Sequence, residues 1–265
     1  MDRALNKSRA WLVAAISLFC AVFCVVVPNA NAASATAGPP TAGAADTATP
    51  AGYTDTLLSN ELDTSRWAFV TRKTIAYSEA GGKGRKVRQL TTRTPDRTNE
   101  LVLALVERKF DNGGIWVQVR LPMRGSGKTG WVRRGALGTY NVIHTRMVIS
   151  RNRFTATLYK NEKVIWRSRV GVGKKGTHTP AGNFYVRDRL ITTDPHGLYG
   201  PYAFGLSAYS KTLTDWPGGG IIGIHGTNEP GLIPGRISHG CIRVKNAKIR
   251  KLYKLLPPGT PVTIN

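Results

Sequence analysis

From residue 57 onward the apolar residues of this chain come in short runs broken by Gly, Asn and Asp, a rhythm that allows short strands and little helix. Residues 101–106 form one such run. Ile115-Trp116-Val117-Gln118-Val119 alternates with period two after Asp111-Asn112-Gly113-Gly114, and Gly125-Ser126-Gly127 precedes Gly130-Trp131-Val132. Strands this short between Gly-rich turns predict a small barrel over residues 57–140. From residue 141 the strands are better marked. Runs at 146–150, 154–159 and 163–171 are separated by Arg151-Asn152-Arg153 and Lys160-Asn161-Glu162, which reads as a meander. Thr179-Pro180-Ala181-Gly182 then turns into Asn183-Phe184-Tyr185-Val186. The period changes near the end, where Ile249, Leu252, Tyr253 and Leu256 share one helical face. Asn246 is placed to cap that helix and Pro257-Pro258-Gly259 to stop it, with 260–265 closing the chain as a strand. The expected fold is mainly β with one short C-terminal helix.

The N-terminal part is different. Asp2, Arg3, Lys7 and Arg9 flank an uncharged stretch from Ala10 to Val27, followed by Pro28 and the small-residue site Ala30-Asn31-Ala32. A basic flank, an apolar run and an A-x-A site together predict a secretory signal peptide over residues 1–32 and an exported protein, periplasmic or in the cell wall. An uncleaved stretch of that length nearly spans a bilayer, so a retained anchor is the alternative, and the only membrane contact expected. Residues 33–56 are rich in Ala, Thr, Gly and Pro and bury too little to order themselves, so they read as a tether.

Cleavage would remove Cys20 and Cys24 and leave Cys241 as the one cysteine, which cannot form an internal disulfide. It would also leave 35 basic and 14 acidic side chains. On an exported chain that excess predicts attraction to anionic wall polymers rather than to nucleic acid.

The reactive residues gather in 222–243. His225 ends the apolar run Ile222-Gly223-Ile224 and is followed by Gly226 and Thr227, and Ser238-His239-Gly240-Cys241-Ile242-Arg243 comes thirteen residues later. A cysteine nucleophile needs its thiolate, and a neighbouring imidazole lowers the thiol pKa by ion pairing and carries protons. Backbone N–H groups around Gly240 and Cys241 can hold an oxyanion. Arg243, two residues beyond Cys241 on an extended segment, shares its face and can bind a substrate carboxylate. Spacing alone leaves His225 and His239 both open as the base. Zinc held by His225, His239, Cys241 and His196 is an alternative, although no C-x-x-C or H-E-x-x-H supports it, and no metal or organic cofactor is expected. Papain-like enzymes place the cysteine before its histidine, the reverse of the order here.

Two resemblances rest on these residues. The Gly130-Trp131-Val132 strand and the short strands before it resemble bacterial SH3-like domains over about 70 residues, which implies binding or positioning. The His225-Gly-Thr and Ser238-His239-Gly240-Cys241-Ile-Arg243 blocks, with Thr179-Pro180-Ala181-Gly182-Asn183-Phe184 upstream, resemble the L,D-transpeptidase (YkuD-type) family over residues 143–265. That resemblance implies a β-sandwich-like catalytic domain at 141–265. It also implies Cys241 as nucleophile, His225 as proton acceptor and donor, and Ser238, His239 and Gly240 as oxyanion or supporting groups. Substrates would be peptidoglycan stem peptides, as acyl donor and as acceptor, and carbapenem-type β-lactams would acylate Cys241. A carboxypeptidase using the same thioester, or a non-catalytic wall-binding protein, are the competing readings. The aromatic-rich stretch between Tyr199 and Trp216 reads as a long loop, either a lid excluding water or a packed surface.

Overall fold

The structure, a computed structural model, describes residues 52–214 and 219–265. The expected signal peptide, Cys20, Cys24, most of the tether and Trp216 lie outside the described residues. Among the described residues no helix is long and apolar enough to cross a membrane.

The front part is one eight-stranded sheet made of β1 (Tyr53–Leu57), β2 (Ser65–Phe69), β3 (Thr74–Tyr77), β4 (Lys86–Leu90), β5 (Leu101–Phe110), β6 (Ile115–Arg120), β7 (Thr129–Arg133) and β8 (Asn141–Ile143). Its order is β4-β3-β7-β6-β5-β2-β8, with β1 also paired to β5. The sheet encloses its own core, in which Ala68, Ala76, Leu90, Val102, Val117 and Val132 are buried together, although its ladders form an open path among the described residues. The unbroken apolar run at β5 reflects burial on both faces. Val102 and Ala104 enter that core, while Leu101, Leu103 and Leu105 pack with Trp67 and Tyr185 on the other side. Two sequence boundaries move. Tyr53–Leu57 is a strand where the tether was expected to run to residue 56, because it completes the long β5 edge. Asn141–Ile143 pairs with Ser65–Trp67 and so belongs to the front sheet rather than to the C-terminal part of the chain.

The rear part is a sandwich. One sheet has the order β11-β10-β9-β19-β13, from β9 (Thr145–Ser150), β10 (Thr155–Lys160), β11 (Lys163–Arg169), β13 (Gly182–Tyr185) and β19 (Pro261–Ile264). The other runs β14-β15-β16-β18-β12-β17, from β12 (Gly171–Gly173), β14 (Leu190–Ile191), β15 (Tyr202–Tyr209), β16 (Ile221–His225), β17 (Gly235–Ser238) and β18 (Ile242–Arg243). Met147, Ile149 and Leu158 of the first sheet meet Phe204, Leu206, Ile224 and Ile242 of the second in one core. Helix α1 (Asn246–Leu255) adds Ile249 and Leu252 to it, with Leu256 just beyond its end. Full burial of such side chains contributes about 1.5–3 kcal/mol each, so the shared core holds the two sheets and the helix together.

Two local expectations are corrected. Asn246 does not cap α1, whose N-cap is Lys245. Its side chain instead accepts a hydrogen bond from Thr227 N–H at 2.8 Å and ties the helix start to the loop after β16. The stretch expected as a long aromatic loop contains a strand: β15 occupies 202–209, with Phe204 and Tyr209 buried.

Front and rear parts meet through Tyr185, packed against Trp67 and Leu103, and through polar contacts. Arg187 Nε donates to Glu100 Oε1 at 2.7 Å and its Nη2 to Glu100 Oε2, the two side chains being only 2% and 3% exposed. Tyr185 Oη donates to the Leu101 carbonyl at 3.1 Å, and Thr98 donates to Asp188.

Candidate active site

The site is built where β16 and β18 run parallel. Their register pairs Ile224 with Ile242 and His225 with Arg243, which brings the residue before β18, Cys241, level with Gly223. Gly223 N–H donates to Cys241 Sγ at 3.4 Å. A β-carbon on Gly223 would lie 4.0 Å from both Cys241 Sγ and His225 Cδ2, so sulfur and imidazole border the space that this glycine leaves open. Cys241, His225, Ser238, His239 and Arg243 line one cavity of about 50 Å³ together with Tyr199, Ser210 and Leu213. A volume of that size holds one or two waters.

His225 is buried and held from two sides. Its Nδ1 lies 2.7 Å from the Gly226 carbonyl oxygen. A carbonyl only accepts, so Nδ1 carries the proton and Nε2 the lone pair. Tyr199 packs edge-on to the ring at 4.8 Å between centroids. Gly226 has no room for a side chain, since a β-carbon would stand 3.0 Å from Gly200 Cα and 3.1 Å from Pro201 Cδ. That close approach fixes the carbonyl which orients the ring.

Charge in the cavity is suppressed. Burial pushes the His225 pKa down to about 4, the Gly226 hydrogen bond opposes this and the positive charge of Arg243 adds to it. Burial also raises the Cys241 thiol above its ordinary value, against the Gly223 N–H and Arg243, which lower it. The sequence expectation of a thiol pKa lowered by its imidazole is therefore corrected. Desolvation outweighs the local donors, and the resting pair is a neutral thiol beside a neutral imidazole.

The turn before β18 is braced by hydroxyls. Ser238 Oγ donates to the Cys241 carbonyl at 2.5 Å and accepts from Gly240 N–H at 3.1 Å. Thr179 Oγ1 donates to the Gly240 carbonyl at 2.8 Å while accepting from Gly173 N–H at 2.9 Å. Ser238 and Gly240 thus support the turn, and the Gly240 N–H expected to face an oxyanion is engaged by Ser238. His239 is exposed at the cavity rim. Arg243 lines the cavity with its Nη1 2.5 Å from Glu229 Oε2, the carboxylate being half exposed. His196 lies elsewhere, and among the described residues no three His, Cys, Asp or Glu side chains converge as a metal set. Gly223, Gly226 and Thr179, quoted in the sequence only within motifs and given no role there, also shape this cavity. The two glycines act by lacking a side chain, and Thr179 acts across the fold on a carbonyl.

With this geometry in place, comparison with known proteins is decisive. Residues 144–264 match the model of the YkuD L,D-transpeptidase catalytic domain. Over 124 residues the chain is 34% identical to YkuD of Bacillus licheniformis, covering 47% of this chain and 67% of that protein. The chain belongs to the YkuD L,D-transpeptidase family. YkuD of Bacillus subtilis (strain 168), like its B. licheniformis counterpart provisionally named an L,D-transpeptidase, is 39% identical over 111 residues, 42% of this chain and 60% of that protein. This YkuD-family chain thus spans 60% and 67% of the lengths of the two Bacillus relatives. The NMR structure of the catalytic domain from the E. faecium L,D-transpeptidase is 26% identical, covering 46% of this chain and 96% of that one with a TM-score of 0.34. Residues 52–143 precede the YkuD match.

Proposed function

We propose that this chain is an exported, cysteine-dependent L,D-transpeptidase that cross-links peptidoglycan stem peptides. The observation that carries the reading is that Cys241 and His225 line one cavity, Sγ and Cδ2 each 4.0 Å from where a Gly223 β-carbon would stand, while the Nδ1 proton of His225 is committed to a carbonyl so that Nε2 is the base. As sulfur attacks the carbonyl joining an L-configured centre to the terminal D-residue of a tetrapeptide, the thiol proton passes to Nε2. The C–N bond breaks, Nε2 returns that proton to the departing amine, and a thioester remains. A side-chain amine of a second stem peptide then attacks, gives a proton to Nε2, and the C–S bond breaks. The proton returns to sulfur and the enzyme is restored. No cofactor enters either step.

Burial disfavours charge on both groups, so the thiol proton passes to Nε2 as sulfur attacks. The Cys241 N–H is the oxyanion donor of this turn, with Ser238, Gly240 and Thr179 holding it in place and His239 at the rim. Arg243, already paired with Glu229, faces the substrate carboxylate. The front sheet acts as an SH3-like positioning domain, and the basic surface draws the exported chain to anionic wall polymers. Carbapenems acylate Cys241 by the first step alone.

The test is mass analysis of products from a stem tetrapeptide with and without an acceptor peptide. Cross-linked product that is lost in Cys241→Ala supports the reading. Release of the D-residue with no cross-link at any acceptor concentration makes the chain an L,D-carboxypeptidase, and no turnover at all leaves only wall binding.

A further inference from the structure

Ser210, Leu213 and Gly220, which line the cavity beside Cys241 and His225, belong to one connection between β15 and β16. Its two arms close on each other where Ser210 N–H donates to the Gly220 carbonyl at 2.7 Å. Within the first arm Ser210 Oγ accepts from Thr212 N–H at 3.3 Å and from Leu213 N–H at 3.0 Å. A second grip comes from a distant part of the chain. Arg124 sits in the connection between β6 and β7 of the front sheet. Its Nε donates to the Ser210 carbonyl at 3.1 Å and its Nη2 to the Gly219 carbonyl at 3.0 Å. One planar guanidinium therefore spans both arms at their base, a task its fixed fork suits and a lysine's single ammonium does not. The strand end that enters the connection is held as well. Tyr209 lies about 6 Å from the guanidinium carbons of Arg88 and Arg124, and its hydroxyl accepts from Arg187 Nη1 at 3.0 Å.

We propose that Arg124 is a positioning residue for acyl transfer, a clasp from the front sheet that fixes the spacing of the Ser210 and Gly219 arms and with it the cavity wall facing Cys241. The inference rests on Cys241 being the acylated group. Arg124 is exposed, so its two hydrogen bonds add little to global stability. Reaction geometry is far more sensitive, because small misplacement of groups around a near-attack centre slows chemistry steeply. The front sheet is thereby part of how the site is built and not a spacer in front of it.

The test uses the full chain with Arg124→Met, Arg124→Lys and, as a charge control on the same connection, Lys128→Met. Three quantities are read: acylation of Cys241 by stem tetrapeptide followed as intact mass, hydrogen exchange of amides 210–213 and 219–222, and Tm. Arg124→Met is expected to slow acylation by about tenfold and speed exchange in those two segments only, with Tm little changed. Arg124→Lys recovers part of the rate and Lys128→Met behaves as wild type. If Arg124→Met fails to fold, Arg124→Lys carries the comparison. Acylation of either Arg124 variant at the wild-type rate overturns the proposal, as does unchanged exchange in the two arms. Should the wild-type chain take no tetrapeptide, the transpeptidase reading fails separately. Iodoacetamide alkylation of Cys241 and the exchange data then decide the clasp.

Discussion

In the front sheet every described ladder is antiparallel, and neighbouring strands are often neighbours in sequence. In the rear sandwich three ladders are parallel: β16 with β18, β12 with β17, and β9 with β19. Antiparallel strands can be joined by a tight hairpin, whereas parallel strands need a crossover. A crossover brings side chains from separate stretches to the same level of a sheet, and the one between β16 and β18 places Cys241 beside Gly223 and within one cavity of His225. The front sheet has no such crossover and no histidine or cysteine. Its contribution is to hold, through Glu100, Leu101 and Arg124, what the parallel strands bring together.

The same contrast separates two ion pairs. Arg187–Glu100 is sealed between front and rear, while Arg243–Glu229 sits at the rim of the cavity with its carboxylate 48% exposed. Breaking a buried pair strands a charge, whereas an exposed one is screened and contributes little.

These differences can be broken experimentally. Cys241→Ala is expected to remove acyl transfer altogether, and His225→Gln to lower kcat/KM on the order of a thousandfold, read from tetrapeptide turnover. Gly223→Ala places a methyl 4.0 Å from both Cys241 Sγ and His225 Cδ2 and 3.2 Å from the Phe204 carbonyl. It should cost roughly a hundredfold in the same assay, with a smaller proportional effect on Tm. Glu100→Gln leaves Arg187 short of its carboxylate and is expected to destabilise by about 3 kcal/mol in denaturant unfolding, with the chemistry of the folded fraction retained. Thr179→Val removes two buried hydrogen bonds from the turn before β18, a loss of about 2 kcal/mol in unfolding with a modest fall in kcat.

His225 also predicts a pH effect on stability. Its folded pKa of about 4 lies below the ordinary 6.5, so between those values the unfolded chain takes up a proton that the folded chain refuses. The stabilisation is whole above about pH 6.5 and is lost as pH falls towards 4, by at most about 3 kcal/mol. His225→Gln should flatten that part of the curve.

Much of this was legible from residue order. The short runs with Gly-rich breaks gave away the β class, and Ile249, Leu252 and Leu256 marked the helix face that the core accepts. The Ser-His-Gly-Cys block and His225-Gly-Thr pointed to one cavity because both lie at strand ends, where sequence neighbours stay together. Features set by contact across the fold were hidden. Asn246 looked like a cap until Thr227 N–H claimed its side chain. Tyr202–Tyr209 read as loop because its glycine and aromatics obscure the alternation that burial on both faces makes unnecessary. The thiol was expected to be acidic because an imidazole is near, and the desolvation that reverses this cannot be read from spacing.

The central claim is that a neutral thiol and a neutral imidazole, lining one cavity beside a bare glycine, perform the acyl transfer. Intact-mass spectrometry of the chain after brief exposure to a stem tetrapeptide, repeated from about pH 4 to 9, tests it most directly. The predicted result is an adduct on Cys241 equal to the tetrapeptide less its terminal residue, forming at a rate that is level through neutral pH and falls only as pH approaches about 4. Absence of that adduct, its appearance on another side chain, or a rate that falls already near the ordinary histidine pKa of 6.5 would contradict the account.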